Sequence, residues 1–199
     1  EYIHGKTKPK RWTTGEIYRR TRKYRETFSD NRSIIRIPVN APLHLPEADL
    51  PVDPYLYGYW LGNGCATKPE ITVRDCDVDD LISFIPYLLH NRYPQACGGS
   101  EILVYKELKK ILVPHFREKV IRPEYLRSSE HQRWELLQGL MDSDGCVSVV
   151  KGQSIYVSTI QQLAESVQEL LWSLGIKNSL TTCPSTRYGK PTGETLYQI

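Results

Sequence analysis

The stretch Leu137-Gln-Gly-Leu-Met-Asp-Ser-Asp-Gly145 decides the fold: an apolar helical run with glycine in its interior, closing in two acids and a second glycine. Glycine inside a helix costs about 1 kcal/mol relative to alanine, so each one calls for a reason. Close approach of another helix supplies it. Gly139 and Ser143 lie four residues apart on one face, and small residues at that spacing let two helices cross with their backbones nearly touching. A second stretch of the same kind, Leu56-Tyr-Gly-Tyr-Trp-Leu-Gly-Asn-Gly64, carries Gly58 and Gly62 at the same spacing. Laid over one another at a shift of 81, Leu56 to Cys65 and Leu137 to Cys146 match at four of ten positions: Leu56/Leu137, Gly58/Gly139, Gly64/Gly145 and Cys65/Cys146.

Working outward, the same element order surrounds each stretch. Asp53-Pro54 reads as an N-cap with proline in the first helical position, opening a helix over Tyr55 to Leu61. Ile71 to Val73 is β-rich, and Val78 to Leu89 places apolar residues at helical spacing. In the second copy Ser129 and Gln132 form a capping box before the helix. Val147 to Val150 and Ser154 to Ser158 pair about a Lys151-Gly152 turn, and a helical stripe from Leu163 to Leu174 stops at Gly175. Asn178 to Thr182 and Glu194 to Ile199 form a last strand pair. Ahead of both copies, residues 15–28 read as a short basic helix and Ile34 to Val39 as a strand, followed by a linker broken by Pro38, Pro42, Pro46, Pro51 and Pro54.

A net charge of +3 conceals a gradient. Residues 1–40 hold eleven Lys or Arg against four acids, a balance of +7, which leaves −4 for the rest. Interleaved with Trp12, Tyr18 and Tyr24, this basic cluster has the composition of a phosphate-backbone footprint or of a solvated basic helix. There is no run of about 18 apolar residues and no secretory pattern, so the expectation is a soluble protein inside the cell, in the cytoplasm or on the nucleoid, with no membrane partner. Five cysteines with no C-x-x-C pair argue against a disulfide framework or a zinc module. The chain opens at Glu1 and its only methionine is Met141, which reads as a piece of something longer.

If the two copies pack on each other, their C-terminal tips meet, bringing Asn63 and Asp144 together at equivalent positions. Acids at helix C-termini oppose the helix dipole, and a divalent cation between the tips resolves the conflict. A calcium loop at Asp142 is excluded, because loop positions six and twelve hold Val147 and Gln153 instead of Gly and Glu.

The two stretches resemble the paired motifs of the LAGLIDADG homing endonucleases, in particular the endonuclease domain found inside inteins. The likeness extends through Leu50-Pro-Val-Asp-Pro54, Lys119-Val-Ile-Arg-Pro-Glu-Tyr-Leu126, Ser158-Thr159 and Leu170 to Ile176, covering roughly residues 34–199. It implies an α+β fold of two pseudo-symmetric αββαββα halves, residues 51–126 and 127–199 after a basic extension and linker over 1–50. Antiparallel saddle-shaped sheets would lie in the major groove of double-stranded DNA, reading a long asymmetric site. The molecule would act as a monomer with internal pseudo-two-fold symmetry. Cleavage in this family needs Mg²⁺, with Mn²⁺ as its substitute. The implied metal set is Asp144 and Asn63, with Gly62 and Ser143 beside them.

One departure stands out: where the family pattern has a second acid, this chain has Asn63, whose amide brings no charge. The expectation is a DNA-binding chain that cuts poorly, nicks one strand, or does not cut. Lys119 matches a family lysine whose point charge stabilises the transition state, and Lys190 is a weaker candidate for that role and for DNA contact. Lys68, Arg74, Lys151 and Arg187, on or beside strands, are expected to face the groove, with Lys10, Arg11, Arg19 and Arg20 as further DNA contacts. The alternative from another class is a non-catalytic DNA- or RNA-binding module on the same fold, a maturase or regulator. Protein splicing is disfavoured because the terminal splicing residues are absent from this chain.

Overall fold

The computed structural model describes residues 11–28, 40–86, 89–96, 98–110, 119–150, 152–187 and 190–199, the side chain of Arg187 excepted. The expected strand Ile34 to Val39, together with Lys10, Lys151 and Leu88, lies outside the described residues. The chain divides into two compact units, residues 1–40 and 41–199. The first contains helix α1 (Thr14–Phe28), which has no buried residue. Its exposed arginines sit on helical turns opened by a Thr13–Glu16 cap, and the Arg20 guanidinium lies 3.7 Å from the centre of the Trp12 ring.

In the second unit α2 (Pro54–Asn63) begins where the sequence places it, the Asp53 carboxylate accepting from the Leu56 amide with proline at the first position. It is buried from Pro54 to Leu61. Strand β1 (Glu70–Arg74), helix α3 (Val78–Phe84), and strands β2 (Asn91–Pro94) and β3 (Ser100–Val104) follow. Helix α3 ends five residues short of the expected Leu89. Pro86 is the cause: the residue before a proline is driven out of the helical region, and Ile85 adopts φ −135°, ψ 51°. After the short α4 (Pro123–Leu126), α5 (Glu130–Asp144) starts at the Ser129/Gln132 capping box. The rest is β4 (Gly145–Ser148), β5 (Gln153–Ser158), α6 (Gln161–Ser173), β6 (Thr181–Arg187) and β7 (Lys190–Gln198).

Both sheets are antiparallel, ordered β1-β3-β2 and β4-β5-β7-β6. A bridge from Gly64 to Ile71 stands where Gly145 pairs with Tyr156 in the second sheet, so it replaces a full strand β4. With that substitution the two sheets share one strand order, and each half reads helix, two strands, helix, two strands. Two expectations need correction. Strand β4 stops at Ser148, since Val149 and Val150, 87% and 99% exposed, form the turn. The last hairpin is Thr181–Arg187 with Lys190–Gln198, longer than expected: its first strand starts later, because the Asn178 side chain bonds Gln168 and the Ile176 carbonyl and holds its segment as loop, and its second starts four residues earlier. Strands β2 and β3 fill the second strand pair that the resemblance implies, but the residues themselves give no range for them, their sequences Asn91–Pro94 and Ser100–Val104 being short and weakly alternating.

The core lies between the helices and the sheets. Ile71 and Val73 on β1, Leu103 on β3 and Tyr156 on β5 are buried with Leu56, Trp60, Leu136 and Leu140 of the central helices. Burying an aliphatic or aromatic side chain contributes roughly 1.5–3 kcal/mol, so this shared layer dominates the unit's stability. Arg133 is also fully buried. Its guanidinium donates to the carbonyls of Ser128, Ser173 and Leu43 and to the Ser173 hydroxyl, pinning the 41–52 linker to the second half.

Candidate active site and nucleic-acid interface

Helices α2 and α5 cross where their glycines meet. A Cβ on Gly58 would fall 2.9 Å from the Leu140 nitrogen and still nearer the Leu136 carbonyl oxygen. One on Gly139 would fall 2.7 Å from the Tyr59 nitrogen and nearer still to the Tyr55 carbonyl oxygen. Both contacts are with backbone, so only glycine fits. One turn further on, Gly62 faces Ser143 and Asp144: its Cβ would lie 2.6 Å from Ser143 Cβ and 3.0 Å from Asp144 Cγ. A cross-helix bond from the Tyr55 hydroxyl to Asp142 Oδ2, 3.1 Å, ties the same end together.

Asn63 and Asp144 are the last residues of their helices. Each is followed by a glycine in extended conformation (φ −81° and −87°) whose amide bonds back to the carbonyl of Trp60 or Met141. Neither glycine is left-handed, so the usual helix-terminating conformation does not explain them. They are there because a Cβ would strike the Trp60 side chain in one case and Met141 in the other.

Lys119 arrives at this tip from the segment before α4. Its ammonium donates to the Gly62 carbonyl at 2.7 Å and sits 5.7 Å from the centre of the Trp60 ring. Its field acts on Asp144 and that of Asp144 on it. Burial nevertheless dominates both groups, pushing the Asp144 carboxyl up and the Lys119 ammonium down from their ordinary values. Burial raises the Tyr59 phenol one turn earlier, while the Asn63 amide beside it acts in the opposite sense. Cys65, beside this group, makes a 3.4 Å contact with the Thr67 hydroxyl, and that bond lowers its thiol.

The tip therefore gathers Asp144, Ser143, Gly62 and Lys119, with Asn63 adjoining Gly62. Its donors are all oxygens: one carboxylate, the Ser143 hydroxyl, whose own proton goes to the Leu140 carbonyl, and the Asn63 amide. Such a set suits a hard divalent cation in kind and is short in charge. Among the described residues no three His, Cys, Asp or Glu side chains converge.

The register assigns the other expected residues to faces. In the first sheet Ile71, Val73 and Leu103 point to the core, so Glu70, Thr72, Arg74, Ile102 and Tyr93 occupy the opposite face. Arg74 is bonded to Asp77 at 2.9 Å, an exposed pair of the kind worth little in water, and the exposed Lys68 lies 3.8 Å from the part-buried Glu70. Arg187 and Lys190 are register partners near the free end of the last hairpin. Lys190 is eight residues along β7 from Gln198, the end joined to β5, so it stands roughly 26 Å from that end. Arg11, Arg19 and Arg20 belong to the first unit and are exposed there. The bond from Tyr55 to Asp142 had no signal in the sequence, since tyrosines at helical spacing read as core.

Two glycine-notched helices, each continuing into an antiparallel sheet of the same strand order, define an α+β protein in two matching halves. Residues 132–197, from α5 to β7, match the model of the LAGLIDADG-like domain. The chain is 36% identical over 146 residues to the replicative DNA helicase DnaB of Mycobacterium intracellulare, covering 72% of this chain and 23% of the helicase. It is 30% identical over 114 residues to a DNA polymerase of Thermococcus hydrothermalis, covering 53% of this chain and 7% of the polymerase. It thus spans less than a quarter of the length of either relative. Among solved structures it is similar to mesophilic variants of the homing endonuclease I-DmoI, with a TM-score of 0.47 and 15% identity over 74% of this chain and 86% of that one. No helix among the described residues is long and apolar enough to cross a membrane.

Proposed function

We propose that this chain is a homing-endonuclease-type domain that binds a long asymmetric site on double-stranded DNA as a monomer and is impaired in cutting it. The observation that carries the reading is the tip itself, where Gly62 packs on Ser143 and Asp144 while Lys119 bonds the Gly62 carbonyl. Two proteins with unrelated activities, a helicase and a polymerase, share a short stretch with this chain. That pattern fits an intein-borne insert carried by different hosts inside the cell.

On this reading the sheet faces turned from the core contact the major groove. Arg74, Lys68, Arg187 and Lys190 meet phosphates or base edges, exchanging weak surface ion pairs for phosphate contacts. Lys151 and Lys10 join them from outside the described residues, and Arg11, Arg19 and Arg20 of the basic helix unit add sequence-independent grip. The scissile phosphate lies at the tips. The Lys119 ammonium, fixed by the Gly62 carbonyl, supplies a preorganised positive charge to the oxyanion that develops there. The Asp144 carboxylate accepts hydrogen bonds from an attacking water and orients it. Asp144, Ser143, Gly62 and Asn63 would hold Mg²⁺ or Mn²⁺, which supplies Lewis-acid stabilisation of the phosphoryl oxygens. With asparagine at 63 the tip provides one negative charge where two acids would provide two.

A non-catalytic DNA- or RNA-binding role is the second reading, favoured by the same Asn63, whose amide brings no charge. Selecting bound duplexes from a random library and then incubating them with the chain in Mg²⁺ or Mn²⁺ separates the two. Enrichment of a long asymmetric duplex with slow cutting or nicking supports the endonuclease. Enrichment with the duplex left whole in both metals supports the binder, and no enrichment of duplex DNA overturns both DNA readings.

A further inference from the structure

Among the described residues two tyrosine hydroxyls, those of Tyr105 and Tyr156, are buried with no hydrogen-bond partner in the protein. Stripping a hydroxyl of water and leaving it unpaired lowers the folding equilibrium constant roughly ten- to a hundredfold, and native proteins keep few such groups. Both residues are enclosed, at 0% and 1% exposure. Their surroundings differ. Tyr105 follows β3, and its hydroxyl feels chiefly its burial and the neighbouring Tyr59. Tyr156 lies on the core face of β5, directly opposite Gly145 in the β4–β5 register and so one residue from Asp144. After burial, the Asp144 carboxylate is the influence felt by the Tyr156 hydroxyl.

A half-buried carboxyl and a fully buried hydroxyl with no partner in the protein thus lie at the same end of the β4–β5 pair, one residue apart in the register and not bonded to each other. Polar groups in that relation are joined by water, since a buried water needs two or more polar partners to be held and bridges nearly as well as a direct bond. We propose that one buried water molecule links the Tyr156 hydroxyl to the Asp144 carboxylate, making Tyr156 a positioning residue for the carboxylate at the helix tip. The phenol O–H donates to the water, and the water donates to a carboxylate oxygen. The charge that Lys119 faces is thereby held in one orientation. The inference goes beyond the DNA reading and stands on the packing at Asp144 whether or not the chain cuts.

The test is a double-mutant cycle in metal-free buffer on the full chain, using Tyr156→Phe and Asp144→Asn, with Tyr105→Phe as comparison. Tyr156→Phe is expected to lower the folding equilibrium constant about three- to tenfold, and the loss should shrink to at most half that factor in the Asp144→Asn background. In protein labelled with ¹³C-aspartate, the Asp144 carboxyl signal, assigned by its loss in Asp144→Asn, shifts in Tyr156→Phe and stays in place in Tyr105→Phe. A Tyr156→Phe variant as stable as the parent or more stable, the result for a dry hydroxyl, overturns the proposal. So does a loss of equal size in both backgrounds, or an Asp144 signal that is unmoved by Tyr156→Phe or moved equally by Tyr105→Phe.

Discussion

Replacing Gly139 by alanine isolates the helix crossing from everything else. The new methyl carbon would sit 2.7 Å from the Tyr59 nitrogen and 3.0 Å from the Tyr55 carbonyl carbon, with the Tyr55 oxygen closer still. Ordinary contact distances for carbon are about 3.5–4.0 Å, so α2 must retreat from α5 by about 1 Å. A gap of that size forfeits about a quarter to a half of each facing contact. Over-packing in cores typically costs about 1–3 kcal/mol, and with backbone rather than a side-chain end in the way the top of that range applies. Alanine returns about 1 kcal/mol of helix propensity, leaving a net loss of about 2 kcal/mol. For a unit of this size that is a fall in Tm of about 4–8 °C, read by thermal melting. The same retreat parts Gly62 from Ser143 and Asp144, so DNA binding or cutting falls with it. Gly15→Ala, on helix α1 with nothing within 4 Å, is the comparison and should leave the melting of residues 41–199 unchanged. A Gly139→Ala chain as stable as the parent would refute the close crossing.

Three further expectations follow from the same structure. Asp144→Asn should be more stable than the parent at neutral pH: a carboxyl whose folded value is raised gives stability that is full below about pH 4 and lost as pH climbs through the raised value, so the two chemical-denaturation curves should converge toward about pH 3. Arg133→Met removes the donor of four hydrogen bonds, three to carbonyls and one to a hydroxyl, from a fully buried site, and should cost about 3–5 kcal/mol in urea titration while Lys68→Met changes stability by less than about 0.5 kcal/mol. Lys119→Met should reduce cutting or nicking of the selected duplex about 10²–10³-fold with its dissociation constant within about threefold, as expected of a charge used at the scissile phosphate; equal loss of binding and cutting would contradict that role.

The fold was legible wherever a backbone requirement left a mark in residue type. Asp53-Pro54, the Ser129/Gln132 box and the paired glycines each report a local constraint, and the structure honours all of them. Where only apolar spacing was available the reading slipped: the stripe from Val78 ran through Pro86, and the proline won. Strands β2 and β3 carry little alternation because one face meets the core only at Leu103. At the tip, the residues at 62, 63, 143 and 144 were readable because glycine and acid at a helix end both demand explanation. The tyrosines around them were not, since a buried ring and a ring whose hydroxyl serves a carboxylate look alike in sequence.

The most direct measurement compares Asn63→Asp with the parent chain on the selected duplex carried in a supercoiled plasmid, in Mg²⁺. Restoring the second charge should convert slow or single-strand cutting into double-strand cleavage at least about tenfold faster, with affinity little changed. Equal cutting by both chains, or none by either, would contradict a phosphodiester site built from residues 63 and 144.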